Sequence, residues 1–285
     1  MKALTGLTLL IILPFIGCSI RDNKNPDNET QIQFTHYSES VRDTFHINIQ
    51  LPREYFNKTD KKYPIAFFID GNFYFPMMSS IISQYEIAGL LEPMIVVGVG
   101  YKSFKTMDSL RVRDCLYPKA LPSDEINAVG GGQNFYNYLT KELIPKIDSN
   151  YRTQKNNRAL LGHSFGGYFV LYSLLNQLQN KNNNFKTFVS ASPTLWYNNF
   201  YLKQLPEELN KNGGPIGVFV SVGNMEDSTW SVNPVKDLST EIQRKNIKEL
   251  EFRSRIYNHL DHMDVAVLSF TMGLQELMND KRETN

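Results

Sequence analysis

The run Leu160-Leu161-Gly162-His163-Ser164-Phe165-Gly166-Gly167 constrains this chain more than any other stretch. Arg158 to Leu161 reads as a short buried strand, and the pairs Val170/Leu171 and Leu174/Leu175 recur at helical spacing just beyond it. Between them stands Gly162-x-Ser164-x-Gly166, a tight turn that lifts a serine hydroxyl clear of the sheet edge. The flanking glycines let strand and helix approach without a Cβ clash. A strand, a glycine-flanked turn and a helix in that order predict a layered fold with Ser164 displayed at the end of a central strand.

The remaining pattern fits an α/β class. Pro64 to Asp70 is an almost continuous apolar run, as expected of a strand covered on both faces, and it stops at the turn Asp70-Gly71-Asn72. A helical stretch around Met77 to Leu91 follows, then a buried strand over Met94 to Val99. Further strands are expected at Phe185–Ser190, Ile216–Val222 and Leu250–Tyr257, with helices near Gln133–Asp148, Pro234–Lys245 and Val265–Asn279. Such alternation implies a mostly parallel central sheet flanked by helices. Gln31–Ser38 and Val41–Leu51 alternate in polarity around a short turn and predict an antiparallel hairpin at the N-terminal edge. Lys102 to Gly132 shows little regular pattern, and Gly130-Gly131-Gly132 reads as a flexible entry to the next helix.

A chain of 285 residues suits one large domain, here residues 31–285. Ahead of it, residues 1–17 carry Lys2 and an apolar run too short for a good membrane span, the pattern of a signal peptide. Phe15-Ile16-Gly17-Cys18 is similar to a bacterial lipoprotein signal, so a lipid on Cys18 would anchor the protein to a membrane outside the cytoplasm. Residues 18–30 are polar and aperiodic, a tether. The net charge of +1 implies no general attraction to nucleic acid. Two cysteines exclude a disulfide framework, and no histidine or cysteine spacing argues for a metal; no cofactor is expected. Cys115 reads as a buried small hydrophobe.

A serine hydroxyl needs a base to take its proton and a third group to hold that base in the right tautomer. After Ser164 the chain has two histidines, His259 and His262, both in the loop before the last helix. The acid is expected after the preceding strand, where Glu226 and Asp227 stand side by side. Backbone N–H groups of Phe165 and of Gly71-Asn72 are the candidate oxyanion donors. His163 reads as packing beside the nucleophile.

With these residues assembled, the chain resembles the putative esterase family of α/β-hydrolases, which includes esterase D-like and siderophore-esterase-like enzymes. The resemblance rests on Asp70-Gly71-Asn72, Arg113-Asp114 with Pro118, Gly130-Gly131-Gly132 before Phe135, and the elbow. It continues through Ser192-Pro193-Thr194-Leu195-Trp196, Gly223 with Glu226, and His262. It implies an α/β-hydrolase fold and a serine esterase with Ser164 as nucleophile, His262 as base and Glu226 as acid, Asp227 being the alternative. Arg113 and Trp196 are candidate substrate contacts. The implied substrate is a small-molecule or glycan ester: a siderophore lactone, an acyl ester, or an acetyl or feruloyl sugar ester. An acyltransferase of the same fold and a non-catalytic ligand-binding lipoprotein are the competing readings.

Overall fold

The computed structural model describes residues 30–279. The expected signal peptide, Cys18 and all of the tether but Thr30 lie outside the described residues. The strands are β1 (Gln31–Ser38), β2 (Asp43–Gln50), β3 (Tyr63–Ile69), β4 (Ile95–Gly100), β5 (Thr153–His163), β6 (Thr187–Ala191), β7 (Ile216–Gly223) and β8 (Leu250–Tyr257). They form one eight-stranded sheet in the order β1-β2-β4-β3-β5-β6-β7-β8. The pairs β1/β2 and β2/β4 are antiparallel, and every pairing from β4 through β8 is parallel. The expected hairpin and parallel sheet are both present.

The unbroken apolar runs are explained by cover on both faces. Helices α1 (Gly71–Ile87) and α9 (Val265–Leu277) close one face, where Phe68, Met78, Val189 and Phe270 interlock. The other face packs on α5 (Phe165–Gln179), whose side chains from Tyr168 to Leu175 are almost wholly buried. Also on that side are α3 (Gly132–Asn137), α4 (Ile144–Asn150), the short α6 (Tyr197–Phe200), α7 (Leu205–Asn212) and α8 (Asn233–Arg244). A wide π turn, Tyr138–Leu143, joins α3 to α4 just before Pro145. Proline lacks an N–H and crowds the carbonyl one turn back, and a wider turn accommodates both.

Three local expectations differ from the structure. Lys102 to Gly132 is not patternless: α2 spans Phe104–Cys115, with Ser103 as N-cap accepting the Thr106 N–H at 3.1 Å. Its anchors are arginines rather than an apolar stripe, so periodicity does not reveal it. Gly130-Gly131-Gly132 is close-packed rather than flexible. The Gly131 and Gly132 N–H groups donate to the carbonyls of Arg113 and Leu116, each at 3.0 Å. A Cβ on Gly131 would sit 2.5 Å from the Arg113 oxygen. Finally α1 begins at Gly71, a turn and a half ahead of the apolar pattern, which brings its N-terminus beside the elbow. Cys115 is free and fully buried.

Candidate active site

Ser164 occupies the turn between β5 and α5 at φ 61°, ψ −118°, a conformation costly for any residue with a Cβ. Two contacts impose it: the Ser164 N–H donates to Ala191 O at 3.0 Å, and Ser164 O accepts the Tyr168 N–H at 2.9 Å. Gly162 is required here, because a Cβ on it would lie 2.3 Å from the Gly166 carbonyl oxygen. Phe165 is the first residue of α5, so its N–H has no acceptor within the helix and lies at the positive end of the helix dipole.

The start of α1 supplies a second such end. Asp70, at φ 57°, precedes Gly71, and only a glycine fits there because an added Cβ would be 2.7 Å from the Gly98 carbonyl carbon. The Asn72 side chain is consumed by Tyr101: its Nδ2 donates to Tyr101 O at 2.7 Å and its Oδ1 accepts Tyr101 N–H at 2.6 Å. Asn72 can therefore offer only its backbone N–H. Arg111 binds the two helix starts together. Its Nε and Nη2 donate to the Asp70 carboxylate at 3.0 and 2.7 Å, and Nη2 also reaches the His163 carbonyl at 3.1 Å. The guanidinium lies 5.2 Å from the centre of the Phe165 ring. Burial works against its charge, but Asp70 outweighs burial and holds Arg111 ionised.

Glu226 and His262 meet across the ends of β7 and β8. Glu226 Oε2 accepts from His262 Nδ1 at 2.8 Å, while Oε1 accepts the Ser192 hydroxyl at 2.5 Å and the Gly223 N–H at 2.9 Å. Burial acts to raise the Glu226 pKa. The hydrogen bonds from His262, Ser192 and Gly223 outweigh it and hold the carboxyl below its ordinary value. A carboxylate on Nδ1 leaves Nε2 as the proton acceptor. The His262 side chain is 40% exposed and that of Glu226 only 2%, so the imidazole faces solvent from a buried support. Ser164 and His262 share no hydrogen bond among the described residues; in unliganded sites such contacts are often long and tighten around substrate.

The neighbouring candidates separate cleanly. Asp227 Oδ1 accepts the N–H groups of Thr229 and Trp230, each at 2.8 Å, and so caps the next turn. His259 sits at φ 61° with its N–H on Asn224 Oδ1, shaping the loop. The expectation for Arg113 needs correction. Its guanidinium is ion-paired with Asp114 on one side and Asp43 on the other, each at 2.8 Å, and thereby staples α2 to the hairpin. Trp196 is half-buried on the wall of a groove of about 710 Å³, with Leu121, Glu125, Asn199, Phe200 and Trp230. Phe200 and Trp230 stack across it, with ring centroids 6.4 Å apart and planes 14° apart. The Thr194 N–H reaches the Ser164 carbonyl at 3.4 Å, and Trp196 lies two residues on, so this groove adjoins the elbow. Ser192 is the contributor that reading of the sequence left without a role, and His163, expected only to pack beside the serine, hydrogen-bonds through both ring nitrogens. A serine directly after a buried strand in Ser192-Pro193 was the available signal.

No group of three or more His, Cys, Asp or Glu side chains among the described residues is arranged to hold a metal ion. No helix among them is long and apolar enough to cross a membrane.

Comparison with known proteins gives the family and the fold. The family model described as "Putative esterase" matches residues 38–267. The chain belongs to that family. Ferri-bacillibactin esterase BesA of Bacillus subtilis is 30% identical over 198 residues, covering 64% of this chain and 66% of that protein. Apo-salmochelin esterase of Escherichia coli is 29% identical over 176 residues, covering 57% and 52%. The chain thus spans less than two thirds of the length of these curated relatives. A crystal structure of the BES protein from Bacillus cereus superposes with a TM-score of 0.74 at 26% identity, covering 95% of this chain and 98% of that one. The family's fold, an α/β-hydrolase sheet with an antiparallel N-terminal hairpin, is the fold of this protein.

Proposed function

We propose that this protein is a serine carboxylic-ester hydrolase that works through an acyl-enzyme. Ser164 Oγ attacks the ester carbonyl as His262 Nε2 takes its proton. The oxyanion develops between the N–H of Phe165 and those at the start of α1, Gly71 and Asn72. Each such donor contributes roughly 10²–10³-fold in rate. His262 then returns the proton to the departing alkoxide, and a water activated by His262 releases the acid. The observation that carries this reading is the 2.8 Å contact between His262 Nδ1 and a Glu226 carboxylate whose other oxygen is already satisfied. That arrangement supports the imidazolium that must form and fixes the tautomer before it does.

The two curated relatives named above are esterases of ferri-bacillibactin and apo-salmochelin, which supports a siderophore lactone as the substrate class, with acyl and acetyl or feruloyl sugar esters as the wider set. The Trp196–Phe200–Trp230 groove suits a flat or apolar part of such an ester. Incubation with short-chain p-nitrophenyl esters and an organophosphonate probe, beside Ser164→Ala, tests the chemistry. Wild type labelled no better and turning over no faster than the variant would end the esterase reading. An extracytoplasmic site of action, with a lipid on Cys18, is part of the proposal. Cys18→Ser should move the protein from the membrane to the soluble fraction.

A further inference from the structure

We infer that His163 is a positioning residue that sets the catalytic frame through both nitrogens of its ring, tying the oxyanion helix to the base loop. The inference rests on the esterase reading of the same site. His163 ends β5, directly before Ser164, and is 3% exposed. Its Nδ1 lies 2.8 Å from the Tyr74 hydroxyl oxygen, and its Nε2 lies 2.8 Å from the main-chain carbonyl oxygen of His262. A carbonyl oxygen only accepts, so Nε2 carries the proton. In the neutral ring Nδ1 is then a lone pair, and Tyr74 donates to it.

The three anchor points belong to three separate pieces of the site. Tyr74 lies in the first turn of α1, three residues after Gly71. His163 is joined covalently to the nucleophile. The His262 carbonyl belongs to the residue that supplies the base. One buried imidazole therefore fixes how the oxyanion donor at Gly71, Ser164 and the His262 ring stand to one another. Displacement of a reacting group by an ångström can cost about 10²-fold in rate, which is the scale at stake.

The ring must also stay neutral. It lies against the His262 ring, with centroids 4.5 Å apart and planes at 46°. A proton on His163 would place a cation beside the imidazolium that His262 must become. The groups around it are Tyr74 from α1, Arg111 from α2, Glu226 after β7, and His262. Burial first, and then the His262 charge, push the His163 pKa down to about 3. His163 thus keeps one tautomer and one polarity across the working range of its neighbour.

The test pairs two variants with a spectroscopic readout. His163→Leu removes both hydrogen bonds. His163→Gln with Tyr74→Phe keeps an N–H donor for the His262 carbonyl and strands no hydroxyl. We expect His163→Leu, folded by circular dichroism, to lose about 30-fold in kcat on p-nitrophenyl acetate while KM moves less than about 3-fold. The double variant keeps the tie to the base loop but loses the tie to α1, so it should recover only part of the loss and stay about 10-fold below wild type. Nitrogen NMR of the wild type should show His163 protonated on Nε2 alone, with no titration between about pH 5 and pH 9. Wild-type kcat in folded His163→Leu would overturn the inference, as would titration of His163 in that range. The NMR arm decides even if the variants fail to fold. Wild type that no organophosphonate labels, together with an unchanged tautomer, would sink the esterase reading and not the frame.

Discussion

The two rims of the parallel sheet are built on different terms. At the carboxyl rim, Asp70 after β3, Ser164 after β5, Ser192 after β6 and His259 after β8 all hold positive φ without being glycine. Each such conformation costs about 1–3 kcal/mol and persists only where its surroundings leave no alternative. At the amino rim a positive φ also occurs, at Glu249 just before β8, but charge pairs and main-chain bonds tie the strands there. Arg158 pairs with Asp148 at 2.5 Å and also donates to the Lys155 carbonyl, and the Thr153 hydroxyl donates to Asp148 at 2.7 Å. Tyr63 N–H meets the Arg152 carbonyl at 2.9 Å. One rim uses its strained positions to display groups; the other is held by paired charges and main-chain bonds.

That contrast can be broken or sharpened by substitution. The largest effect belongs to Ser164→Gly, which removes the nucleophile and relieves the strained position. Turnover should fall by about 10⁴-fold or more while stability is held or raised by about 1 kcal/mol. Lost stability on urea titration would show that the elbow is not strained. Glu226→Gln should come next, lowering kcat by about 10²–10⁴-fold, whereas Asp227→Asn should stay within about 3-fold. Equal losses in the two would undo the separation of these neighbouring acids.

At the amino rim the expectation reverses. Asp148→Ala leaves Arg158 without its carboxylate and should cost about 3 kcal/mol, with kcat per folded molecule unchanged. A drop in kcat at constant fold would erase the distinction between rims.

Acid should act through the carboxyl rim. In the unfolded chain His163 takes up a proton near pH 6.5, and in the fold only near 3. Between those values the unfolded state binds more protons, so stability falls as pH drops, by up to about 1.4 kcal/mol per unit. Glu226, with its pKa held low, adds a loss of the same sign as pH falls through its folded value. Urea midpoints for wild type and His163→Gln between pH 6 and pH 4 should show a shallower slope in the variant. Equal slopes would mean that His163 takes up a proton as readily in the fold as in the unfolded chain.

Trp230→Ala should give the smallest effect: about 5–10-fold in kcat/KM for aryl-acyl esters, with acetate esters little changed. Uniform losses would place Trp230 outside the substrate groove.

The parallel sheet, the elbow and the histidine loop before the last helix were legible in the sequence because each rests on a local regularity. Period-two and period-3.6 patterns come from burial, and the glycines of the elbow come from steric need at single positions. Helix α2 was not legible, since Arg111 and Arg113 hold it through carboxylates that lie elsewhere in the chain or directly beside them. The two arginines look alike in sequence and differ wholly in place: Arg111 clamps Asp70 to the elbow, and Arg113 staples the hairpin.

By itself, then, the sequence determined an α/β chain with a displayed serine, a histidine loop before the last helix and a pair of candidate acids. Only the tertiary structure decided that Glu226 reaches His262 while Asp227 caps a turn, and that the His163 ring joins helix α1 to the loop of His262. The reason is physical. Strand and helix patterns are written over neighbouring residues, whereas a carboxylate or an imidazole takes its role from partners that the fold brings within about 3 Å.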